Sequence, residues 1–410
     1  MSTSCEMRRA CVVCALLAGL FACPAPASAV DGEWLRAKLA REMRLAGPGA
    51  GAYVVDLTAD RPLLAIRADV ARPPASVEKL YTTSTALLRF GPEATLDTQV
   101  LGAAAPGFEG VVDGDLWLRG GGDPTLTKVK LDVLAAQLSA EGVTGVRGGV
   151  AGDGTVFDRL PGSYRTGGRL DIDMGGELAG LAIDRGLVRG RFQRAPALTA
   201  ARALATALRR RDVRVTGRTQ VAAAPAGART LATISSPPMS ELISLTNLPS
   251  DNLYAETLLK ALGARFGAGG TTAAGVAVVR DQLASFGLYP RVVDGSGLAR
   301  SDLTTPRQVV GLLERMDGAP VATVFRRSLP VPGRSGTLRK RMRRTPAAGR
   351  CAAKTGTIRA VSSLAGYCTT RDGRRVAFAF LMSGVYVPAA RRIQDHMTVA
   401  LARVDLGPPT

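Results

Sequence analysis

Residues 73–83 read PPASVEKLYTT, and the organisation of the whole chain turns on what the serine and the lysine in this stretch are for. Two prolines precede a segment in which Val77, Leu80, Leu87 and Leu88 recur at a helical period. Ser76 and Lys79 then stand three residues apart on one helix face, within reach of each other. Only seven of the 53 basic residues are Lys, so a Lys where Arg would serve as a surface charge asks for a chemical reason. A desolvated Lys can shed its proton and act as a base, which Arg cannot. Ser76 at the helix start would have a developing alkoxide stabilised by the helix dipole. An N-cap serine beside a surface lysine is the plainer reading of the same four residues.

Two further stretches bear on the choice. In SDN (Ser250, Asp251, Asn252) the Asn is one of only two in the chain. It is either a helix cap or an amide that holds a substrate carbonyl, with Ser250 relaying a proton. In KTGT (Lys354 to Thr357) a P-loop reading fails, because Ala353 stands where Gly is required and a strand follows in place of a helix. As a strand, Gly356 would allow close approach of a substrate backbone, Thr355 and Thr357 would offer hydroxyls, and Lys354 a cation for a carboxylate. The single histidine, His396, falls on the polar side of a C-terminal amphipathic helix. One His serves neither a Ser-His-Asp triad nor a zinc site, and G-x-S-x-G is absent.

S-x-x-K, S-D-N and K-T-G in this order are the signature of penicillin-binding proteins and serine β-lactamases. The chain resembles the class C low-molecular-mass penicillin-binding proteins, the D-alanyl-D-alanine carboxypeptidase/endopeptidase (DacB, peptidase S13) type. GGGDPTLT (120–127), SDNLYAETLLKALG (250–263), DGSGLARSDLTTP (294–306) and LPVPGRSGTLRKRM (329–342) look like that group's segments, so the likeness spans nearly all of the mature chain. It implies Ser76 as acylated nucleophile, Lys79 as its base, and Ser250 and Asn252 as the second motif. Lys354, Thr355, Gly356 and Thr357 would bind the substrate carboxylate, and the Ser76 and Thr357 N–H groups would form an oxyanion hole. Leu298 and Arg300 would line the peptide side-chain pocket, where Arg300 could meet a free carboxylate in bidentate fashion. The expected partners are peptidoglycan peptides and, as covalent inhibitors, β-lactams; no cofactor or metal is implied. A β-lactamase or esterase on the same fold, or an idle wall-binding protein, are the other readings.

The stretch from Ser76 to Ser250 is shorter than in enterobacterial members of that group, which implies that one of their two inserted domains is lacking. Residues 157–174, FDRLPGSYRTGGRLDIDM, fall where relatives build the substrate pocket, and are richer in Gly and Arg here.

The rest of the chain fits an exported α+β protein. MSTSCEMRR, an apolar run and PAPASAV read as a signal peptide over 1–29, with Cys23 as an alternative lipoprotein attachment point. No later segment approaches 18 uninterrupted apolar residues, so no membrane span is expected in the mature protein, which is placed in the periplasm. Cys351 and Cys368 would face each other if residues 351–368 form a hairpin turning near Arg359 and Ala360, and could then pair in an oxidising compartment. The net charge of +19 is either a solvated Arg-rich surface or an attraction to an anionic polymer. RKRMRR (339–344) is its densest cluster, and without interleaved aromatic residues it gives no support to nucleic-acid binding.

Two strands over 51–69, three over 351–383 with Asp372-Gly373 as a tight turn, and a closing helix predict one antiparallel sheet flanked by helices. The resulting organisation is a penicillin-binding-protein-like transpeptidase domain made of 30–97 and 236–410, interrupted by a smaller α/β lobe over 98–235.

Overall fold

Strands from opposite ends of the chain make the principal sheet. In the computed structural model, which describes residues 32–407, Ala50–Asp56 lies between Arg61–Ile66 and Arg375–Ser383. Val361–Thr369 and then Cys351–Ile358 complete five antiparallel strands. The expected signal segment and Cys23 lie outside the described residues. Among those residues, no helix is long and apolar enough to cross a membrane.

Both faces of this sheet are covered, and the sequence shows it with period two. Along Arg375–Ser383, Val376, Phe378, Phe380 and Met382 enter a core beneath the first helix (Gly32–Leu45) and the last (Val387–Arg403). The intervening Ala377, Ala379 and Leu381 enter a second core, together with Leu80, Leu87, Leu258 and Leu313 from the other helices. Those helices include Lys79–Phe90, buried from Lys79 to Leu87, which packs against Met239–Asn247 and Asn252–Phe266. A helix buried on all sides has no polar face to spare, so the Lys at its start has to be accommodated inside.

The intervening residues form a lobe with its own core around Leu118, Leu131, Leu204 and Leu208. Its five-stranded sheet runs Gln220–Val221, Val150–Asp153, Leu116–Arg119, Asp97–Gly102, Arg229–Ser235. The first and last strands of the lobe pair antiparallel, Asp97 opposite Ser235, so the chain leaves and re-enters the larger unit at neighbouring points.

The hairpin at 359–360 has the expected two-residue connection, since Ile358 pairs with Val361. The sulfurs of Cys351 and Cys368, register partners at its far end, are joined in a disulfide. The second turn is wider than expected. Thr370 still donates its N–H to Arg374 O (2.9 Å), leaving three residues in the loop with Gly373 at φ 87°. A three-residue hairpin needs one left-handed position, and Gly373 takes it.

Candidate active site

Ser76 lies in a single 3-10 turn, Ala75–Glu78, that runs directly into the helix beginning at Lys79. The residue before it, Ala75, is held at φ 49°, and Ser250 on the facing loop is at φ 64°. Left-handed backbone at non-glycine residues costs of order 1–3 kcal/mol each and collects where surrounding structure dictates a side chain's position.

Lys79 is wholly buried, and its Nζ has three oxygen neighbours. It lies 3.1 Å from Ser76 Oγ, 2.7 Å from Asn252 Oδ1 and 2.7 Å from the Ser296 carbonyl. The Asn252 amide is fixed in turn by donating to Asp173 O (2.7 Å), so its oxygen has to face Lys79. Asn252 is the first residue of its helix and does not cap it. The cap is Asp251, whose carboxylate accepts the Tyr254 N–H and a two-pronged contact from Arg185 at 2.9 and 3.1 Å. That division of labour frees the Asn252 amide for the site.

The Ser296 carbonyl was not foreseen from sequence. It lies in the DGSG turn, which is wrapped around two buried carboxyl groups. Glu256, one helical turn beyond Asn252, accepts the N–H groups of Gly295 (3.1 Å) and Ser296 (2.9 Å). Asp294 accepts those of Ser296, Gly297 and Ala299. Glu78 and Asp302 are buried in the same region. Burial first, then mutual repulsion, pushes these acids up: Glu256 to about 8, Asp302 to about 11, and Glu78 well above the usual carboxylate range. Burial also brings the Lys79 ammonium down to about 8, against the opposing pull of Asp294, Glu256, Asp251 and Glu78. The site thus holds a lysine whose pKa is brought down to about 8, beside Glu78, Glu256 and Asp302, three acids pushed towards keeping their protons.

On the other side of Ser76 runs the Cys351–Ile358 strand. Lys354 is buried and donates to Ser250 Oγ (2.8 Å) and to Thr355 O (2.8 Å); it does not stand free in the cleft. Burial, and then the Lys79 charge, lower its pKa well below the usual range. Gly356 is needed for a different approach from the one anticipated. A Cβ there would come within 2.5 Å of Pro74 O and 3.1 Å of Ser76 N, so its missing side chain admits the turn that carries the serine. Thr355 Oγ1 is hydrogen-bonded to Thr337 Oγ1 (2.7 Å), a partner the sequence did not single out, and Thr357 is exposed.

Leu298 packs in a small cluster with Met174, Leu178 and Leu253. The 157–174 segment therefore reaches the site through Met174 and through Asp173 O. Buried Lys260 ties its start to the helix that begins at Asn252, through Asp158 (2.6 Å) and Leu160 O (2.9 Å). Arg300 is exposed and donates to Arg359 O (2.7 Å) at the hairpin turn. His396 is remote from these groups, on the last helix beside Glu42 at 3.4 Å. No group of His, Cys, Asp and Glu able to hold a metal ion occurs among the described residues.

A family model described as the D-Ala-D-Ala carboxypeptidase 3 (S13) family matches residues 34–175 and 170–404. A D-alanyl-D-alanine carboxypeptidase of Actinomadura sp. (strain R39) is 32% identical, covering 87% of this chain and 82% of its own length. The carboxypeptidase DacB of Mycolicibacterium smegmatis is 31% identical, over 83% of this chain and 77% of that protein. In fold, the chain superposes on penicillin binding protein 4 (dacB) of Haemophilus influenzae with a TM-score of 0.76 at 20% identity, covering 88% of this chain and 98% of that one.

Proposed function

The chain belongs to the D-Ala-D-Ala carboxypeptidase 3 (S13) family, and on that premise we propose that Ser76 carries the acyl-enzyme of an exported serine DD-carboxypeptidase/endopeptidase acting on peptidoglycan peptides. The observation that carries the assignment is the set of three oxygens around Lys79 Nζ. Asn252 Oδ1 and the Ser296 carbonyl only accept hydrogen bonds. Once Lys79 is neutral they engage its two N–H groups, and the lone pair is left facing the Ser76 hydroxyl.

Ser76 Oγ attacks the carbonyl of the penultimate D-Ala while its proton moves to Lys79. The Ser76 N–H and the Thr357 N–H face the oxygen that becomes negative, where donors placed in advance contribute most. As the C–N bond breaks, Ser250, bound to Lys354, relays a proton to the departing nitrogen, which belongs to D-Ala or to a cross-linked peptide. Water then attacks the ester, the carboxylate leaves, and Ser76 recovers its proton. Thr355 and Thr357 hold the carboxylate of the terminal residue, and Leu298 and Arg300 border the side chain on the acyl side. The relatives' names and the likeness to a penicillin-binding protein support the same reading, and β-lactams, whose ring presents a comparable amide and carboxylate, acylate the same serine. Export places the enzyme in the periplasm, where its substrate is.

The test is labelling by fluorescent penicillin, together with mass analysis of digested muropeptides. Wild type is expected to be labelled and to release D-Ala or separate cross-linked pairs, and Ser76→Ala to do neither. Rapid loss of the label with turnover of penicillin would favour a β-lactamase on this fold. An unlabelled, folded wild type would favour a wall-binding protein without activity.

A further inference from the structure

The last helix reaches the KTGT strand through one side chain. Arg391, in the second turn of Val387–Arg403, places Nη2 3.2 Å from Thr357 Oγ1. The turn behind it is fixed from two sides. Buried Gln394 donates to Ser362 Oγ (3.1 Å), and Ser362 is the register partner of Thr357 on the neighbouring strand. Arg341, from the basic cluster at 339–344, donates to the Arg391 carbonyl (3.2 Å), to Gln394 Oε1 (3.2 Å) and to Asp395 Oδ1 (2.9 Å). Asp395, four residues after Arg391 and its natural helical partner, is thereby taken by Arg341. Among the described residues no carboxylate forms an ion pair with Arg391, which stays exposed at the mouth of the site.

We propose that Arg391 is a substrate-binding residue that contacts the C-terminal carboxylate of the peptide alongside Thr357, and so sets a preference for substrates ending in a free acid. The inference rests on the DD-peptidase reading, which puts that carboxylate at Thr357. Lys354 is an unsuitable sole counter-charge, because its ammonium is buried against Ser250 and Thr355 O. A guanidinium offers a carboxylate a paired, charge-assisted contact that a hydroxyl does not. Arg341 acts through Arg391 by fixing its turn, and is a positioning residue.

Two acetylated tripeptides ending in D-Ala-D-Ala, one a free acid and one a C-terminal amide, are compared by kcat/KM on the purified full chain. Wild type should prefer the acid. In Arg391→Ala that preference should fall about tenfold, mainly through KM, and Arg391→Lys should restore part of it. Arg392→Ala, which removes an equally exposed charge from the next position, should keep the wild-type preference. An unchanged preference in Arg391→Ala, an equal fall in Arg392→Ala, or a wild type indifferent to the two ends would overturn the proposal. Failure of wild type to hydrolyse the acid peptide would overturn the DD-peptidase reading itself, and this inference with it.

Discussion

Gly356 and Ser76 face each other across a strand–helix contact that leaves no room for a side chain at position 356. A Cβ on Gly356 would sit 3.1 Å from the Ser76 nitrogen and 2.5 Å from the Pro74 oxygen. Strand and helix start therefore meet backbone to backbone, and the two N–H groups proposed for the oxyanion come from the two sides of that contact.

Gly356→Ala should accordingly separate the strand from the serine. Overpacking at such a site costs about 1–3 kcal/mol, and displacement of an attacking group by about 1 Å costs on the order of 10²-fold in rate. The variant should fold with a lowered melting temperature and be acylated by penicillin at least about 100-fold more slowly. Labelling at the wild-type rate would show that the contact has no part in acylation.

Lys79→Arg tests the reason for a lysine at this position. Arg fills similar space and keeps a charge, but its guanidinium holds its proton at any accessible pH. The variant should lose acylation on the order of 10³-fold, within the range expected for loss of a general base. Near-normal labelling of Lys79→Arg would rule out Lys79 as the base.

Much of this site was legible in the sequence because its parts are short motifs with fixed internal geometry. Ser76 and Lys79 are brought together by one helical turn, and Thr355, Gly356 and Thr357 by one strand. The antiparallel sheet was legible for a similar reason, since Val376 to Met382 alternate between two cores. What escaped is what depends on contacts distant in sequence. The Ser296 carbonyl belongs to a backbone group that carries no residue signal, and it is oriented by Glu256 from another helix. Gly356 was read as making room for substrate, because nothing in KTGT says that Pro74 would be its neighbour. Arg391 looked like one arginine among many until Gln394 and Ser362 fixed its helix over the strand.

The disulfide between Cys351 and Cys368 joins residues 17 positions apart and closes a loop that contains the whole KTGT motif. Cross-linking a loop of that size stabilises by about 3 kcal/mol on the chain-entropy account. The Cys351→Ala/Cys368→Ala variant should therefore unfold at lower denaturant concentration by about that free energy. Below its transition it should still be labelled, because the register pairs from Ala352 to Ile358, which flank Lys354 along the strand, involve neither cysteine. An unchanged unfolding midpoint would mean that the bond adds nothing to the hairpin's own stability.

The pH dependence of acylation follows from the burial of Lys79. Its ammonium is lowered to about 8, chiefly by desolvation, and only the neutral amine can take the serine proton. The acylation rate should therefore climb as pH rises through about 8 and fall on the acid side as Lys79 becomes charged. Asn252→Asp places a carboxylate where the amide oxygen now lies, 2.7 Å from Nζ. A neighbouring carboxylate favours the charged lysine, and pairs of this kind move a pKa by about 1–3 units. The inflection should shift to higher pH in Asn252→Asp, leaving the variant slow at pH 7 and partly recovered at pH 10. Stopped-flow acylation with a chromogenic cephalosporin between pH 6 and 10 measures both profiles. A wild-type rate that is flat across pH 8, or an inflection that moves downward in Asn252→Asp, would show that the titrating base is not Lys79.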